Sequence, residues 1–368
     1  MRRRKILHVI PTLDRSGAEK QLMLLATRLP ADRYDVTVCA LTREGPYAEA
    51  LRDAGLTVHC LHKRFSWDPL TLWRLFRLVK SIAPDIVHTW LFAGNCYGRV
   101  AAWAAGVPHL IASERCVDSW KAGYQLAIDR WLARFTDRVV ANTKAVSAFY
   151  EKAGIPRSQL VVIPNGIEAE SNGTPAPERS EVLDDLGVPS EKVTIGFIGR
   201  LWPQKRVRDL IWAVDVLRIS GRDTPLFIVG DGPRRGALER FSRNLELQQQ
   251  VHFLGHRDDA QRLLHGIDIL VIPSRFEGMP NVALEAMLIG KPVVATRIAG
   301  VDELIVHDQT GLLVEPLRPF ELAKAINRLL DEPELRERLG AEGKDRVERL
   351  FSVDRMVQAY EQLYEELN

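Results

Sequence analysis

The sequence predicts an α/β protein made of two Rossmann-like, doubly wound domains, and three observations lead there. The chain has 368 residues, which suits two domains of roughly 150–200 residues each better than one. Short apolar runs alternate with helical patterns, a rhythm typical of parallel sheets covered by helices on both faces. The rhythm stops in the Ser-, Gly- and Pro-rich stretch 170–179 and then begins again.

The first domain is predicted over residues 1–168, with seven strands and a helix after most of them. The predicted strands are Ile6–Ile10, Val36–Leu41, Thr57–Leu61, Ile86–His88, Leu110–Ser113, Arg138–Ala141 and Leu160–Ile163. Helical patterns between them include Ala18–Leu29 and Pro69–Ile82. Each apolar run is short enough for a strand, and each helical pattern is long enough for three turns.

After a predicted linker over residues 169–190, the second domain over 191–351 repeats the pattern. Its predicted strands are Val193–Ile198, Leu226–Val229, Val251–Leu254, Ile269–Ile272, Val293–Ala295 and Leu312–Val314. The tail 352–368 predicts one amphipathic helix with Ser352 as its N-cap. Ligands of such sheets bind beyond the carboxyl ends of the strands, so two facing domains would share a cleft there.

Composition excludes several classes of protein. Hydrophobic residues make up 46% and charged residues 27%, which is typical of a soluble globular protein. The four cysteines lack C-x-x-C spacing, which favours reduced thiols in a cytoplasmic protein. The basic start, MRRRK, is followed by an apolar run that Pro11 ends, so a secretion signal is not expected. No run of about 18 apolar residues predicts a membrane span.

Charge is distributed unevenly along the chain. Residues 1–170 hold 24 Lys and Arg against 16 Asp and Glu, a net charge of +8. Within this half, the helix Pro69–Ile82 carries Arg74, Arg77 and Lys80 at a spacing of three, together with Trp73 and Phe76. Such a helix suits peripheral contact with an anionic membrane. The alternative is an ordinary packed helix with a solvated basic face.

The most informative segment is PSRFEGMPNVALEAM, residues 273–287, which follows an apolar strand. Gly278, Met279, Pro280 and Asn281 form a turn that opens a helix, and a helix N-terminus suits phosphate oxygens. Carboxylates accept hydrogen bonds from sugar hydroxyls, which gives Glu277 and, eight residues later, Glu285 a binding role. The alternative is a helix-capping acid at Glu277 and a surface residue at Glu285. Arg275 lies in the same turn.

A second segment, FIGRLWPQK, places Arg200 and Lys205 five residues apart after a predicted strand. Two cations at a carboxyl strand end can clamp a diphosphate, since Arg bonds directionally and Lys supplies a mobile charge. A solvated basic loop is the alternative, because Arg206 and Arg208 are also nearby.

Two glycine-containing turns give weaker signals. SGAEK, residues 16–20, puts Gly17 where a loop enters a helix, and it predicts either a phosphate-facing loop or a simple helix start. VGDGPRRG, residues 229–236, resembles a dinucleotide-binding turn. An acidic residue at the end of the next strand is lacking, so an NAD site is not expected. Gly230 and Gly232 instead predict a turn near a bound nucleotide.

Metal, hydrolase and nucleic-acid sites find no support in the sequence. No Asp-x-Asp pair follows a strand, the nine histidines lack zinc spacing, and G-x-S-x-G is absent. No cofactor, no metal and no nucleic-acid partner are therefore expected. His88 ends a predicted strand, which predicts either a cleft residue or a structural histidine.

Taken in order, these segments resemble the retaining glycosyltransferases of the GT-B fold. The resemblance covers nearly the whole chain and includes PDIVHTW at 84–90, VVIPNGIE at 161–168 and the E-x7-E pair at 277–285. It is typical of bacterial cell-wall and polysaccharide enzymes. It implies a nucleotide-sugar donor bound by the second domain, a metal-independent transfer and a final helix that crosses back onto the first domain.

The resemblance also implies roles for particular residues. Arg200 and Lys205 would hold and stabilise the departing diphosphate, Glu277 would contact the transferred sugar, and Glu285 would bind the ribose. Gly17 would approach the donor phosphate or the acceptor from the first domain.

One departure concerns the first domain. Many relatives carry a histidine after its fifth strand, whereas this chain has Glu114 and Arg115, which would take over that contact.

The expected acceptor is a glycan or a lipid-linked glycan, reached from the cytoplasm at the inner membrane face. A sugar-nucleotide epimerase, a phosphorylase and a non-catalytic nucleotide-sugar binding protein are the alternatives.

Overall fold

The structure is a computed structural model that describes residues 2–118, 121–168 and 176–367. It divides into two compact units. Unit 1 contains the residues up to Gly166 and those from Val353 onward, and unit 2 contains Ile167–Ser352.

Unit 1 is built on a seven-stranded parallel sheet. Its strands are β1 (Arg4–Thr12), β2 (Tyr34–Arg43), β3 (Thr57–Cys60), β4 (Ile86–Trp90), β5 (His109–Glu114), β6 (Arg138–Ala141) and β7 (Leu160–Val162). The helices that follow them are α1 (Gly17–Arg28), α2 (Pro46–Asp53), α3 (Pro69–Ile82), α4 (Leu91–Ala105), α5 (Gly123–Leu132) and α6 (Lys144–Lys152). The strand order is 3-2-1-4-5-6-7, so the order reverses between β1 and β4.

Both faces of this sheet are buried, as its continuous apolar strands predict. Along β1, Ile6 and Ile10 belong to the core on one face, and Leu7 and Val9 belong to the core on the other. The period of two explains the division, because successive side chains of a strand point to opposite faces.

Unit 2 repeats this architecture around a six-stranded parallel sheet. Its strands are β8 (Ile195–Ile198), β9 (Leu226–Val229), β10 (Val251–Gly255), β11 (Ile269–Ile272), β12 (Val293–Thr296) and β13 (Leu312–Val314). Its helices are α7 (Arg179–Asp185), α8 (Val207–Ile219), α9 (Arg235–Asn244), α10 (Ala260–His265), α11 (Asn281–Leu288), α12 (Val301–Leu304), α13 (Pro319–Asp331) and α14 (Pro333–Leu350). The order β10-β9-β8-β11-β12-β13 again reverses after the first strand, between β8 and β11.

The last helix, α15 (Val353–Glu365), belongs to unit 1. Tyr360 and Tyr364 are fully buried there, in the same core as Ile6 and Ile10. The chain therefore leaves unit 1 after Gly166 and completes its core with the final helix.

The predicted fold class is confirmed: both units are doubly wound α/β domains, and each predicted strand is present. Of the predicted linker, residues 169–175 lie outside the described residues. Residues 179–185 form α7, whose Val182 and Leu183 are buried in the cores of unit 2. The linker prediction missed this helix because its short apolar pattern gives little periodicity to detect.

Candidate active site

Arg200, Lys205 and Glu277 lie on two loops that flank the reversal of strand order in unit 2. β8 and β11 are neighbours, with Ile195 opposite Ile269. The loop after β8 carries Arg200 and Lys205, and the loop after β11 carries Glu277. In an open α/β sheet the crevice at such a reversal is where ligands bind. The sheet topology thus brings together residues that are 72 positions apart.

Lys205 and Glu277 form a direct ion pair. Lys205 Nζ lies 2.5 Å from Glu277 Oε1, and the side chains are only 17% and 10% exposed. Ser274 Oγ donates a hydrogen bond of 2.7 Å to the same oxygen. The carboxylate is therefore held in one orientation by two donors, which fixes where a ligand could meet it.

Backbone bonds fix the two loops relative to each other. The backbone N–H of Arg275 donates to the carbonyl of Gln204 at 2.8 Å. Thr296 Oγ1 also donates to the carbonyl of Ser274. The side chain of Arg275 is exposed, so this residue has both an anchored backbone and a cation at the surface.

The turn that presents Lys205 is a short 3-10 helix, Pro203–Lys205, which runs directly into α8. Arg206, between the two helices, has a left-handed backbone with φ of 52° and pairs with Asp209 at 2.8 Å. Arg200 is exposed, and its guanidinium lies over the Trp202 ring at 5.8 Å. The two predicted cations thus differ: Lys205 is already paired, whereas Arg200 faces solvent.

The glycines of the VGDGPRRG turn serve close packing between loops. A Cβ atom at Gly230 would lie 2.0 Å from the carbonyl oxygen of Gly199, and one at Gly232 would lie 2.8 Å from that of Leu201. The Leu201 N–H also donates to the Asp231 carbonyl at 2.9 Å. This turn therefore supports the Arg200 loop, and a nucleotide contact from Gly230 or Gly232 stays a prediction.

The turn before α11 is tightly packed. A Cβ atom at Gly300, whose φ is +95°, would lie 2.2 Å from the Gly278 carbonyl oxygen. Met279 is 5% exposed and belongs to the hydrophobic core, so a ligand contact from this residue would have to come from its backbone. Pro280 is the buried N-cap of α11. Asn281 and Glu285 are half-buried and lie four residues apart, on the same face of that helix.

In unit 1, His88 is fully buried. Its Nδ1 lies 2.9 Å from the Tyr364 hydroxyl, and its Nε2 lies 2.8 Å from Ser113 Oγ. Burial, with His8 and Arg115 nearby, lowers the pKa of His88 well below its ordinary value. The sequence left two alternatives open, a cleft residue and a structural histidine. This buried environment fits a neutral structural histidine.

Glu114 lies in a buried polar cluster and is 3% exposed. The cluster contains Glu114, Asn95, Arg99, Asp118, Lys121, Asp129 and Tyr150. Burial raises the pKa of the Glu114 carboxyl to about 7, although Lys121 opposes this effect. Three carboxyl groups, those of Glu114, Asp118 and Asp129, thus face the two cations Arg99 and Lys121. Glu114 is thus engaged within unit 1, and a sugar contact from it stays a prediction.

Arg115 is also largely buried. Its Nη2 donates to Asn165 Oδ1 at 2.5 Å, its Nη1 donates to the Tyr360 hydroxyl at 3.3 Å, and its guanidinium lies 5.2 Å from the centre of the Trp90 ring. Burial lowers the pKa of Arg115. Arg115 therefore joins the end of β5 to α15 and to the segment before Gly166.

Gly17 is exposed at the first position of α1, directly after β1. The neighbouring Glu19 is buried and accepts hydrogen bonds from Thr12 Oγ1 at 3.1 Å and Ser16 Oγ at 2.7 Å. The acid therefore orders the loop, and Gly17 lies where the strand order of unit 1 reverses between β1 and β4.

Comparisons with known proteins agree with this architecture. The family model for "Glycosyltransferase Family 4" matches residues 15–171, and that for "Glycosyl transferases group 1" matches residues 178–346. The two matches together span most of the chain. The chain belongs to the GT-B glycosyltransferases. The two matches are separated by residues 172–177, which lie within the linker predicted for this glycosyltransferase.

Similar proteins include several bacterial glycosyltransferases. The chain is 29% identical to a lipopolysaccharide core biosynthesis glycosyltransferase of Rhizobium meliloti, over 98% of each chain. It is 28% identical to the Escherichia coli "UDP-Gal:alpha-D-GlcNAc-diphosphoundecaprenol alpha-1,3-galactosyltransferase", over 89% of this chain and 88% of that one. Among solved structures, Anabaena HepE in complex with UDP and glucose has a TM-score of 0.86 and 24% identity, over 99% of this chain and all of that one.

Sequence reasoning missed several residues that shape the candidate site of this glycosyltransferase. Ser274 orients Glu277, Gln204 joins the two loops, and Gly300 permits the close approach of Gly278. Ser274 lies inside the motif and three residues before Glu277, a spacing that could have suggested the bond. The contacts of Gln204 and Gly300 depend on tertiary structure and leave no local pattern.

The described part of the chain contains neither a metal-binding cluster nor a membrane-spanning helix. No group of three or more His, Cys, Asp or Glu side chains there could hold a metal ion. No helix among these residues is long and apolar enough to cross a membrane. Metal-independent transfer stays a prediction.

Proposed function

We propose that this glycosyltransferase transfers a sugar from a nucleoside-diphosphate sugar to a glycan or lipid-linked acceptor, with retention of anomeric configuration. The observation that carries the proposal is the contact between Lys205 and Glu277 on the two loops at the strand reversal of unit 2. A cation suited to a diphosphate and a carboxylate suited to sugar hydroxyls meet there. A donor needs both.

In the proposed step, the bond between the anomeric carbon and the diphosphate oxygen breaks, and its electrons leave with the diphosphate. The acceptor oxygen then bonds to the anomeric carbon from the same face. Its proton passes to an oxygen of the departing phosphate. Positive charge develops on the sugar and negative charge on the diphosphate, so fixed cations lower the barrier.

Each site residue has a role in this scheme. Lys205 and Arg200 stabilise the departing diphosphate, assisted by the N-terminus of α11. Glu277 accepts hydrogen bonds from the transferred sugar. Its described hydrogen bonds both fall on Oε1, which leaves Oε2 as the atom for a sugar hydroxyl. Glu285 binds the ribose.

Similar proteins support a choice of donor and acceptor to test first. One of them is named for UDP-galactose and a diphosphoundecaprenol-linked acceptor, and another was crystallised with UDP-glucose. A uridine diphosphate hexose and a lipid-linked glycan at the cytoplasmic face of the membrane are therefore the first candidates.

Thermal shift with a panel of nucleotide sugars would identify the donor, since a bound ligand raises the melting temperature by mass action. Release of nucleoside diphosphate would then be measured for wild type and Lys205→Ala. We expect the variant to lose about 100- to 1,000-fold in rate, the range seen when one fixed transition-state donor is removed. The anomeric coupling in the proton NMR spectrum of the product would report retention or inversion.

The matched control is Lys192→Ala. Lys192 is another part-exposed lysine of unit 2, and it pairs with Asp223 at 2.6 Å. It should keep wild-type activity. Equal rates for wild type and Lys205→Ala would contradict the role of Lys205. Donor binding without release of nucleoside diphosphate in any acceptor assay would favour a binding protein, and an epimerised free donor would favour an epimerase.

A further inference from the structure

A short segment of unit 1 exposes an unusual amount of apolar surface. Phe65, Trp67, Leu70 and Trp73 have 69%, 81%, 52% and 54% of their surface exposed. Single exposed apolar side chains are ordinary, but four of them within nine residues form a patch. The segment Lys63–Ser81, which carries them, is called the aromatic-basic surface below.

Packing of α3 onto its sheet does not require these residues. Its inward face consists of Thr71, Leu75 and Val79, which are all buried. Leu70 and Trp73 are three residues apart and lie on the outward face, as do Arg77 and Lys80. Phe76, which the sequence grouped with the outward residues, is half-buried against the core. The helix therefore has an apolar patch in addition to its buried face.

The loop that carries Phe65 and Trp67 is held in place by Asp68. The Asp68 carboxylate accepts hydrogen bonds from the backbone N–H groups of Thr71 at 3.0 Å and Arg64 at 3.1 Å. The backbone N–H of Asp68 donates to the Tyr97 hydroxyl at 2.7 Å, and that hydroxyl donates to the Ser66 carbonyl at 3.1 Å. This network orders the loop with both aromatic rings facing solvent.

The charge around the patch is almost entirely positive. Lys63, Arg64, Arg74, Arg77 and Lys80 provide five cations, and Asp68 is the single acid in the segment. Hydrogen bonds from the backbone N–H groups of Arg64 and Thr71 hold the pKa of the Asp68 carboxyl at about 2. The Arg77 guanidinium lies over the Trp73 ring at 5.3 Å. The surface is therefore complementary to an anionic partner that also accepts aromatic rings.

We propose that the aromatic-basic surface docks this protein peripherally on an anionic lipid bilayer. Trp rings favour the headgroup level, and Phe and Leu favour the acyl boundary just below it. Lys and Arg reach phosphate groups while their stems stay near the apolar boundary. A bilayer accepts protruding rings without a matching pocket, whereas a protein partner would need one for each ring. The proposal rests on this surface alone and does not depend on the sugar chemistry of unit 2.

Binding to sucrose-loaded vesicles tests the proposal with the full chain and without donor. Wild type should sediment with vesicles containing phosphatidylglycerol but not with pure phosphatidylcholine, and 0.5 M salt should weaken binding. Trp67→Ser with Trp73→Ser should lower the partition coefficient by about tenfold or more. Arg77→Gln with Lys80→Gln should lower it by about fivefold for each cation removed.

Matched controls lie in unit 2. Trp212→Ser removes a part-exposed tryptophan of α8. Lys344→Gln with Arg349→Gln removes two exposed cations of α14, so it changes the net charge equally. Both controls should bind vesicles like wild type, and the variants at Arg77, Lys80, Lys344 and Arg349 should keep the wild-type melting temperature because those side chains are exposed.

Three outcomes would overturn the proposal. The first is unchanged vesicle binding when Trp67→Ser and Trp73→Ser are combined. The second is that the wild type does not bind anionic vesicles. The third is that the protein does not bind vesicles but self-associates in size-exclusion chromatography, and that the double tryptophan variant abolishes this self-association. That result would assign the surface to a second copy of the chain. Quenching of tryptophan fluorescence by brominated acyl chains, reduced in the double variant Trp67→Phe with Trp73→Phe, is the positive result that supports insertion.

Discussion

The pair of Lys205 and Glu277 shows how single residues build the candidate donor site. Both side chains are mostly buried in unit 2, and they contact each other at 2.5 Å. A buried ion pair adds little net stability, because the loss of hydration offsets most of the attraction. Its value lies in preorganisation: a charged lysine and a charged carboxylate are held at the strand reversal before a donor arrives. Ser274 strengthens that arrangement through the same carboxylate oxygen.

The buried cluster around Glu114 is a second feature at the scale of single residues. Lys121 is completely buried against the carboxylates of Glu114, Asp118 and Asp129 at 3.5, 3.1 and 3.0 Å. The Tyr150 hydroxyl donates to Glu114 at 2.9 Å. Burial raises the pKa of Glu114 from 4.5 to about 7. Between about pH 4.5 and 7, the Glu114 carboxyl therefore binds a proton more tightly in the native state than in the unfolded chain.

Glu114→Gln should change how stability depends on pH. Because the pKa of Glu114 is higher in the native state, its contribution to stability is complete below about pH 4.5 and is lost as pH rises towards 7. Glutamine does not ionise, so the variant should not show this loss of stability as the pH rises. The difference in slope should approach about 1.4 kcal/mol per pH unit. Urea unfolding of unit 1 from pH 4.5 to 8 measures it, and parallel slopes for both proteins would contradict the assignment.

At the scale of elements, the tight contact between α14 and the turn after α11 depends on a glycine. A Cβ atom at Gly340 would lie 2.0 Å from the carbonyl oxygen of Gly290 and 3.6 Å from Pro292. The obstacle at Gly290 is backbone, which cannot move aside as a flexible side chain does. The long helix α14 can therefore reach its position beside α11 only with glycine there.

Gly340→Ala should destabilise unit 2 by about 1–3 kcal/mol, the range for an overpacked contact. Gly236→Ala is the matched control, since it also lies in a helix, α9, and a Cβ atom there would meet nothing within 4 Å. That change should stabilise the protein by about 0.4–1 kcal/mol through the entropy of the unfolded chain. Thermal and urea unfolding compare the two, and equal effects would refute the packing argument.

At the scale of the whole molecule, the two units have separate cores, and α15 completes the first of them. The helix contributes Met356, Val357, Tyr360, Leu363 and Tyr364 to the core of unit 1. The end of the chain is therefore needed for the stability of its beginning. The effect of a substitution in α15 on stability can therefore be measured separately in each unit.

Tyr360→Ala should destabilise unit 1 by about 3–5 kcal/mol, as for other large buried aromatic side chains. It also removes the hydroxyl that accepts a hydrogen bond from Arg115. Hydrogen exchange followed by mass spectrometry should show faster exchange in β1, β4 and β5, with the strands of unit 2 unchanged. Uniformly faster exchange in both units would contradict the division of the core.

The sequence by itself determined the strands of both sheets, the repeat of the architecture and the loops that carry Arg200, Lys205 and Glu277. These features follow from local apolar periodicity and from turn residues, which act over a few positions. Only the tertiary structure reveals that Lys205 pairs with Glu277, 72 residues away, that His88 meets Tyr364, 276 residues away, and that burial raises the pKa of Glu114. Such contacts depend on strand order and helix packing, because burial and charge pairing are set by distant segments that no local pattern encodes.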